Sequence, residues 1–332
     1  MSGRQQFVAL NDAKSSLCSI DIGVPQGSNI GPLLFLLYVN DISKLPLKGT
    51  AKLFADDTAL FYPSLDPRVI LSYNEYDLAL LCNYFRTNLL SLNLDKTKYM
   101  FFHSPRKKII MCPDPCISNV SIEKVQNFKY LGINLDSTLS WSCHVNKVEN
   151  KIASLCGILR RVSYFLPQKA LLNFYFACIH SHFQYGILVW GHACKTRLKK
   201  LQTLQNRCLK LIYRLPSQYP TLDLYRNGTQ SILPLVGLRD LQSIRLVHSI
   251  VHNNNLHHNL SIPNVNHHHT TRQAHNLMRT RAKTSLGLQR FLFYGPSRFN
   301  ALPPEIRMIT RPDLFKVRLR LHLKIKINSF LI

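Results

Sequence analysis

Acidic residues are scarce in this chain: 17 Asp and Glu stand against 42 Lys and Arg in 332 residues, a formal net charge of +25. That deficit excludes a cationic partner and points to a polyanion, either nucleic acid or an acidic membrane surface. Long apolar runs are also lacking. The most apolar stretch, "ALLNFYFACIHSHFQYGILVWG", is broken by Asn173, His180, Ser181, His182 and Gln184, so it does not read as a membrane span. The first twenty residues have no sustained apolar core, which excludes a visible secretory leader. The nine cysteines are odd in number and follow no framework, which fits free thiols in a reducing, intracellular setting. Cys112 and Cys116 could share a metal, but no second ligand pair follows at finger spacing. The histidines of "HNNNLHHNL" and "NVNHHHTT" read instead as a polar loop over about 250–285.

The charge that is present is uneven. Residues 1–139 carry a net +2, residues 140–215 a net +11 and residues 216–332 a net +12. The acids gather in the first part and the bases in the rest, as in a catalytic module followed by a nucleic-acid grip.

Hydrophobic periodicity predicts an α+β chain. Residues 7–10 and 16–22 read as a hairpin whose second strand is half-buried, with Cys18, Ile20 and Ile22 alternating against Ser19 and Asp21. "GVPQGSNIGPLLFLLYVND" is a Gly/Pro loop running into a helix, with Ser28 placed to cap it and Pro32 near its start. That helix is apolar nearly all round and should be buried. Strands over 51–54 and 58–62 should form a hairpin with Ala55, Asp56 and Asp57 at its tip. A helix over 69–89 comes next, with Val69, Tyr73, Tyr76, Leu80 and Tyr84 on one face. "LNLDKTKYMFFH" should turn into a strand ending near His103, and residues 128–136 should form another strand. After Trp141 the period becomes helical. Helices are expected near 145–162, 168–190 and 195–214, the last ended by Pro216. The tail "LFKVRLRLHLKIKI" is in conflict: strict alternation says strand, whereas its composition and Pro312 say helix. We expect a helix over 312–323 and then an extended end.

The stretch "KLFADDTALFY" carries the chemistry. Two carboxylates held about 4 Å apart repel by about 4 kcal/mol at an effective dielectric of 20, and divalent cations offset that repulsion. Oxygen ligands on a short, rigid turn suit a hard ion such as magnesium. Paired ions about 4 Å apart can serve attack by a 3′ hydroxyl and departure of pyrophosphate. The pair alone is commonplace, since Asp favours turns. A Gly/Pro/Gln/Gly/Ser loop entering an apolar helix some thirty residues upstream makes the combination rare.

"GVPQGSNIGPLLFLLYVNDI" followed by "KLFADDTALFY" resembles the middle of a reverse transcriptase from a non-LTR retrotransposon of the LINE-like or jockey-like sort. "LNLDKTKYMFF" and "FKYLGINLD" extend the likeness, and "FNALPPEIR" resembles the usual C-terminal end. The resemblance implies RNA-directed DNA polymerase activity on an RNA template and a DNA primer with deoxynucleotides, using two Mg2+. It assigns metal binding to Asp56 and Asp57, and the template base and incoming nucleotide to Pro25, Gln26, Gly27, Ser28 and Phe54. Phe54 replaces the family's usual Tyr. Lys96 would neutralise the leaving pyrophosphate, and Tyr130, Leu131 and Gly132 would grip the primer end. A partial palm over 1–139 would precede a basic three-helix thumb over 140–215 and a mixed C-terminal region over 216–332. Lys147, Lys151, Arg160, Arg161, Lys199, Lys200 and Arg207 would track the duplex backbone, because phosphate contacts carry no sequence information.

The resemblance also implies a third carboxylate on a strand before the Gly/Pro/Gln loop. Only Asp12 and Asp21 precede Gly23, and neither matches that pattern. The chain is therefore expected to begin inside a palm, without fingers or first metal-binding Asp, and to be inactive alone. A second chain could supply the fingers. The alternative reading is a catalytically dead nucleic-acid-binding fragment.

Overall fold

The computed structural model describes residues 4–20, 23–24, 27–106, 113–117, 120–226, 232–252, 262 and 276–329. It is an α+β chain of small paired strands and many helices, and it divides into two compact units, Met1–Val125 and Gln126–Ile332. No helix among the described residues is long and apolar enough to cross a membrane.

In the first unit, Arg4–Gln6 pairs antiparallel with Cys18–Ile20, and Ala9–Leu10 pairs with Ala13–Lys14 inside that loop. Its alternating residues lie in solvent, not half-buried as expected: Cys18 is exposed and only Ile20 is partly covered. The next helix spans Gly31–Val39, and the Gly31 N–H donates to Ser28 Oγ at 3.0 Å, which satisfies one free donor of its first turn. This helix is not buried all round. Val39 is buried, but Leu33, Leu36, Leu37 and Tyr38 are exposed, because the unit's core is small. That core is Val39, Ile42 and Leu81, with Phe35, Leu45, Leu47 and Leu60 packed around them.

The long helix spans Pro67–Thr87, capped by Asp66, whose side chain accepts from the Arg68 N–H at 2.9 Å. Its buried face differs from the expected stripe. Tyr73 and Tyr76 are exposed, and Leu71, Asp77 and Leu81 are buried. Apolar counting passes over the inward face because an aspartate sits in its middle. The expected strand into His103 is reduced to Lys98–Tyr99, paired in parallel with Glu123–Lys124.

The second unit begins with a correction. Residues 128–136 form not one strand but a hairpin, Asn127–Tyr130 against Ile133–Asp136, with Tyr130 opposite Ile133. Leu131 and Gly132 make the turn at φ +45° and +81°. Positive φ at both turn positions matches the twist of the flanking strands. Asp136 then braces the approach to the next helix, Ser142–Val162. Its carboxylate accepts from Thr138 Oγ1 at 2.8 Å and from the backbone N–H groups of Ser140 and Trp141 at 2.8 and 2.7 Å, just ahead of that helix.

The Ser142–Val162 helix packs beside Lys195–Ile212, and the two run the same way. Near their starts Arg197 Nη1 donates to Asn146 Oδ1 at 3.3 Å; at their far ends Arg214 Nη2 donates to Leu166 O at 3.4 Å. The expected 168–190 helix is interrupted. Gln168–Phe174 runs into a π-helical turn, Tyr175–His180, and then Ser181–Gln184; Gly186, at φ +63°, breaks the chain before Ile187–Trp190. Lys195–Ile212 ends before Pro216, at Arg214 in a left-handed conformation.

One core then runs from Trp141 to Ile327 and joins these helices to Leu235–His252, Phe291–Asn300 and Pro312–Ile325. The described elements of 216–332 are mainly helices, with a single bridge residue at Leu277. Alternation misleads at the tail: Phe315, Leu319, Leu323 and Ile327 are buried at steps of four, whereas Val317, Leu321 and Ile325 are exposed. Burying each inward side chain is worth about 1.5–3 kcal/mol, enough to decide for the helix. The expected extended end is a 3-10 turn over Lys326–Ser329.

Candidate functional site

Thr50–Phe54 and Asp57–Phe61 pair antiparallel, with Phe54 opposite Asp57. Ala55 and Asp56 therefore form a two-residue turn, and Ala55 takes φ +51°. Asp57 is the first residue of the second strand, not part of the tip itself. Both carboxylates are exposed, and among the described residues neither has a hydrogen-bond or ion-pair partner. Phe54 is exposed beside them.

The base of this hairpin is held by a residue that sequence pattern alone does not single out. Asp77, fully buried on the long helix, accepts from the backbone N–H groups of Lys48 and Gly49, both at 2.8 Å, at the point where the chain enters the first strand. Tyr62, just after the second strand, lies against Gly49 so closely that a Cβ there would run into its ring. Burial and the Asp77 carboxylate push the Tyr62 hydroxyl pKa well above the tyrosine range. One buried carboxylate thus fixes the stem that presents two exposed ones. Its signal in the sequence is an acid inside a helical stripe, at 70, 74, 77 and 81, that would otherwise be largely apolar.

A magnesium ion fits the tip in part. Unpaired carboxylates on a short turn suit a cation that keeps several waters and is completed by substrate phosphates. A closed protein cage is not formed, since no group of three or more His, Cys, Asp or Glu gathers among the described residues. Asp12 lies in the turn of the inner hairpin, and Asp21 lies outside the described residues.

Of the remaining candidates, Pro25 and Gln26 lie outside the described residues. Gly27 has φ +83°, a conformation that favours glycine. The Ser28 hydroxyl is engaged at the helix start. Lys96 is exposed in a turn where its own N–H donates to Asn93 Oδ1 at 3.1 Å, and among the described residues no bond joins it to the Asp pair. Tyr130, Leu131 and Gly132 lie together at the second hairpin's turn, with Leu131 O accepting from Tyr185 Oη at 2.6 Å.

The seven candidate cations are all exposed, and none is in an ion pair among the described residues. They do not form one line. Helical spacing places Lys199, Lys200 and Arg207 on one outward face and Lys147, Lys151 and Arg161 on one flank, with Arg160 on the opposite flank.

Comparison with known proteins adds identity to this geometry. Residues 5–135 match the family "Reverse transcriptase (RNA-dependent DNA polymerase)", a segment that includes the Asp hairpin. The probable RNA-directed DNA polymerase from transposon BS of Drosophila melanogaster is 29% identical over 239 residues, 68% of this chain and 26% of that protein. Its counterpart from transposon X-element is 28% identical over 222 residues, 64% of this chain and 24% of that protein. The RNA-directed DNA polymerase from mobile element jockey of the same organism is 27% identical over 237 residues, 68% and 25% of the two chains. The chain thus spans about a quarter of the length of these curated relatives. No solved structure matches it. The Asp hairpin thus lies inside the segment that matches the reverse transcriptase family, and about two thirds of the chain is similar to RNA-directed DNA polymerases of jockey-like mobile elements.

Proposed function

We propose that this chain is the palm-and-thumb portion of an RNA-directed DNA polymerase, with Asp56 and Asp57 as its metal anchor. The observation that carries this is the Asp hairpin: two exposed carboxylates without partners among the described residues, on a stem clamped by the buried Asp77. Bound Mg2+ would neutralise phosphate charge and assist attack by the primer 3′ hydroxyl. The protein's own part is to orient. The short turn would keep both carboxylates within reach of bound metal, and Phe54 would offer a ring to a template base or an incoming nucleotide. Lys96 would meet the leaving pyrophosphate, with Gln26, Gly27 and Ser28 lining the nucleotide. The Leu131 and Gly132 turn would press on the primer end. Lys147, Lys151, Arg160, Arg161, Lys199, Lys200 and Arg207 would hold the RNA–DNA backbone as exposed point charges.

A two-ion centre takes more oxygen ligands than this pair provides, and no third carboxylate joins it among the described residues. We therefore expect the isolated chain to bind template–primer and to extend it poorly unless further oxygen ligands complete the site. The test has two arms. Paramagnetic Mn2+ should broaden the signals of the 50–61 hairpin in the wild type and not in Asp56→Ala/Asp57→Ala; equal broadening removes the metal role. Binding to an RNA–DNA hybrid should fall as salt rises, with log K dropping by about 0.7–0.9 per phosphate contact for each unit of log salt. Lys199→Gln/Lys200→Gln/Arg207→Gln should flatten that slope, and an unchanged slope removes the thumb role. Processive cDNA from the purified chain would refute the expectation of weak extension. The second reading, a nucleic-acid-binding portion without catalysis, rests on the unpaired cations and predicts that Asp56→Ala leaves hybrid binding intact and no metal-dependent step to lose.

A further inference from the structure

The far ends of the Ser142–Val162 and Lys195–Ile212 helices enclose an open groove of about 480 Å³, lined by Phe165, Pro167, Gln168, Tyr213 and Arg214 among others. That volume falls within the range of small-molecule sites, roughly 300–1,000 Å³. We propose that this groove takes an unstacked base of single-stranded nucleic acid. The proposal deepens the nucleic-acid reading above and rests on it, but it concerns a site separate from the Asp hairpin, with Arg160 and Arg161 serving both.

The first observation is exposure. Tyr164 and Phe165 are adjacent and are 78% and 86% exposed. A lone exposed ring needs no explanation, but two neighbouring rings, of which Phe165 lines the groove, leave a sizeable apolar surface in water. The loop that carries them is tied in place: Arg214 Nη2 donates to Ser163 O and Leu166 O at 3.5 and 3.4 Å. The rings are therefore presented on a braced turn, as a stacking platform requires.

Charge selects the occupant. Residues 150–222 contain no Asp or Glu at all. Arg214 lines the groove, and Arg160, Arg161 and Lys169, within a few residues of its lining in sequence, are exposed. Such a rim disfavours a basic or neutral peptide and favours a polyanion. The lining then decides which part of the polyanion enters. Both helices end here, and their last-turn carbonyls are already engaged: Leu159 O accepts from the Ser163 N–H, Val162 O from the Phe165 and Leu166 N–H groups, and Leu209 O from the Tyr213 N–H. What the groove offers is the rings of Phe165 and Tyr213, whose apolar faces suit a base and not a phosphate. The phosphates are left to the rim, where guanidinium groups form forked hydrogen bonds with them. A duplex keeps its bases stacked inside, so it cannot fill such a groove; an unpaired strand can, with any base, because every base has a π face.

The experiment uses the full chain and fluorescence anisotropy with four labelled probes of equal length: single-stranded RNA, single-stranded DNA, a DNA strand with abasic sites, and a blunt RNA–DNA hybrid. Phe165→Ala should weaken single-strand binding about tenfold, in line with measured base–aromatic stacking, and Phe165→Trp should restore it. The wild type should bind the abasic strand as weakly as Phe165→Ala binds the intact one, with hybrid affinity the same for all three proteins. The RNA and DNA arms show which strand the groove prefers, and a Phe165-dependent loss in either supports it. Because Phe165 lies in solvent, its removal leaves the core intact. Hybrid binding with no Phe165 effect on single strands overturns the groove alone. An equal loss on hybrid and single strand overturns it as well. Phe165-dependent capture of an acidic peptide, without such dependence for nucleic acid, assigns the groove to a protein and also overturns it. Failure to bind any of the four probes overturns both this site and the nucleic-acid reading beneath it.

Discussion

The 50–61 hairpin reverses through Ala55 and Asp56, and the 127–136 hairpin through Leu131 and Gly132. Each is a two-residue turn, and each depends on a buried aspartate that accepts backbone N–H groups: Asp77 at the stem of the first, Asp136 at the end of the second. They differ in their surroundings. The first stands in a unit whose buried cluster is only Val39, Ile42 and Leu81, and its turn meets no described partner. The second opens a unit whose core runs from Trp141 to Ile327, and its turn is bonded by Tyr185. The first takes its order from the stem, and among the described residues its carboxylates are unbonded; the second is bonded at the turn itself. Under the proposed function the first would receive metal and substrate, and the second would press on the primer.

Asp77→Ala challenges this contrast most directly. It leaves the buried N–H groups of Lys48 and Gly49 without an acceptor, at about 1–3 kcal/mol each, in the unit with the smaller core. We expect the first unit to lose its cooperative urea transition, and hydrogen exchange over 50–61 to become unprotected while the second unit stays protected. Protection unchanged would show that the stem is held by something else. Asp136→Ala should cost about 2 kcal/mol, because it removes a charged acceptor from the Ser140 and Trp141 N–H groups. The larger core should absorb that loss as a lowered denaturation midpoint, not an unfolded unit.

Acid probes the same difference. Burial holds His180 and His192 at about 4, helped by Arg320 beside the first and by Arg239 and Arg298 beside the second. Their unfolded value is about 6.5. The unfolded chain therefore binds more protons below that value, and the second unit loses stability as pH falls from about 6.5 to 4. Asp136 acts at lower pH. Burial raises its pKa, but the N–H and hydroxyl donors around it outweigh burial and hold it below the usual carboxylate value. Its contribution is present above about 3.9 and is lost as pH falls through the folded value. Thermal melts of the second unit from pH 7 to 3 should decline in these two stages, and His192→Phe should flatten the first. Ala55→Gly should change least. Relief of the left-handed conformation is worth about 1–2 kcal/mol, offset by about 0.5–1 kcal/mol of added backbone freedom. A slight gain in the first unit's midpoint is the expected outcome, with Gly132→Ala shifting the second unit the opposite way.

The order of chemistry-bearing segments is written in the amino acids themselves: the glycine-rich loop, the apolar helix, the Asp pair on a hairpin, and the basic helices after Trp141. Each is encoded locally, by turn-forming residues, by charge or by a helical period within one segment. Packing between distant segments settled the rest. Asp77 is invisible to apolar counting, because a buried acid is stable only where another segment brings it N–H donors, here Lys48 and Gly49. The Leu131 and Gly132 turn is hidden in a run that reads as one strand, since the strand pattern continues through both arms. The tail's alternation is compatible with two periods; helix 312–325 exists because a core lies on one side to take Phe315, Leu319, Leu323 and Ile327. Local pattern states which residues can face inward. Only the partner surface determines which of them do, because burial stabilises a side chain only when something packs against it.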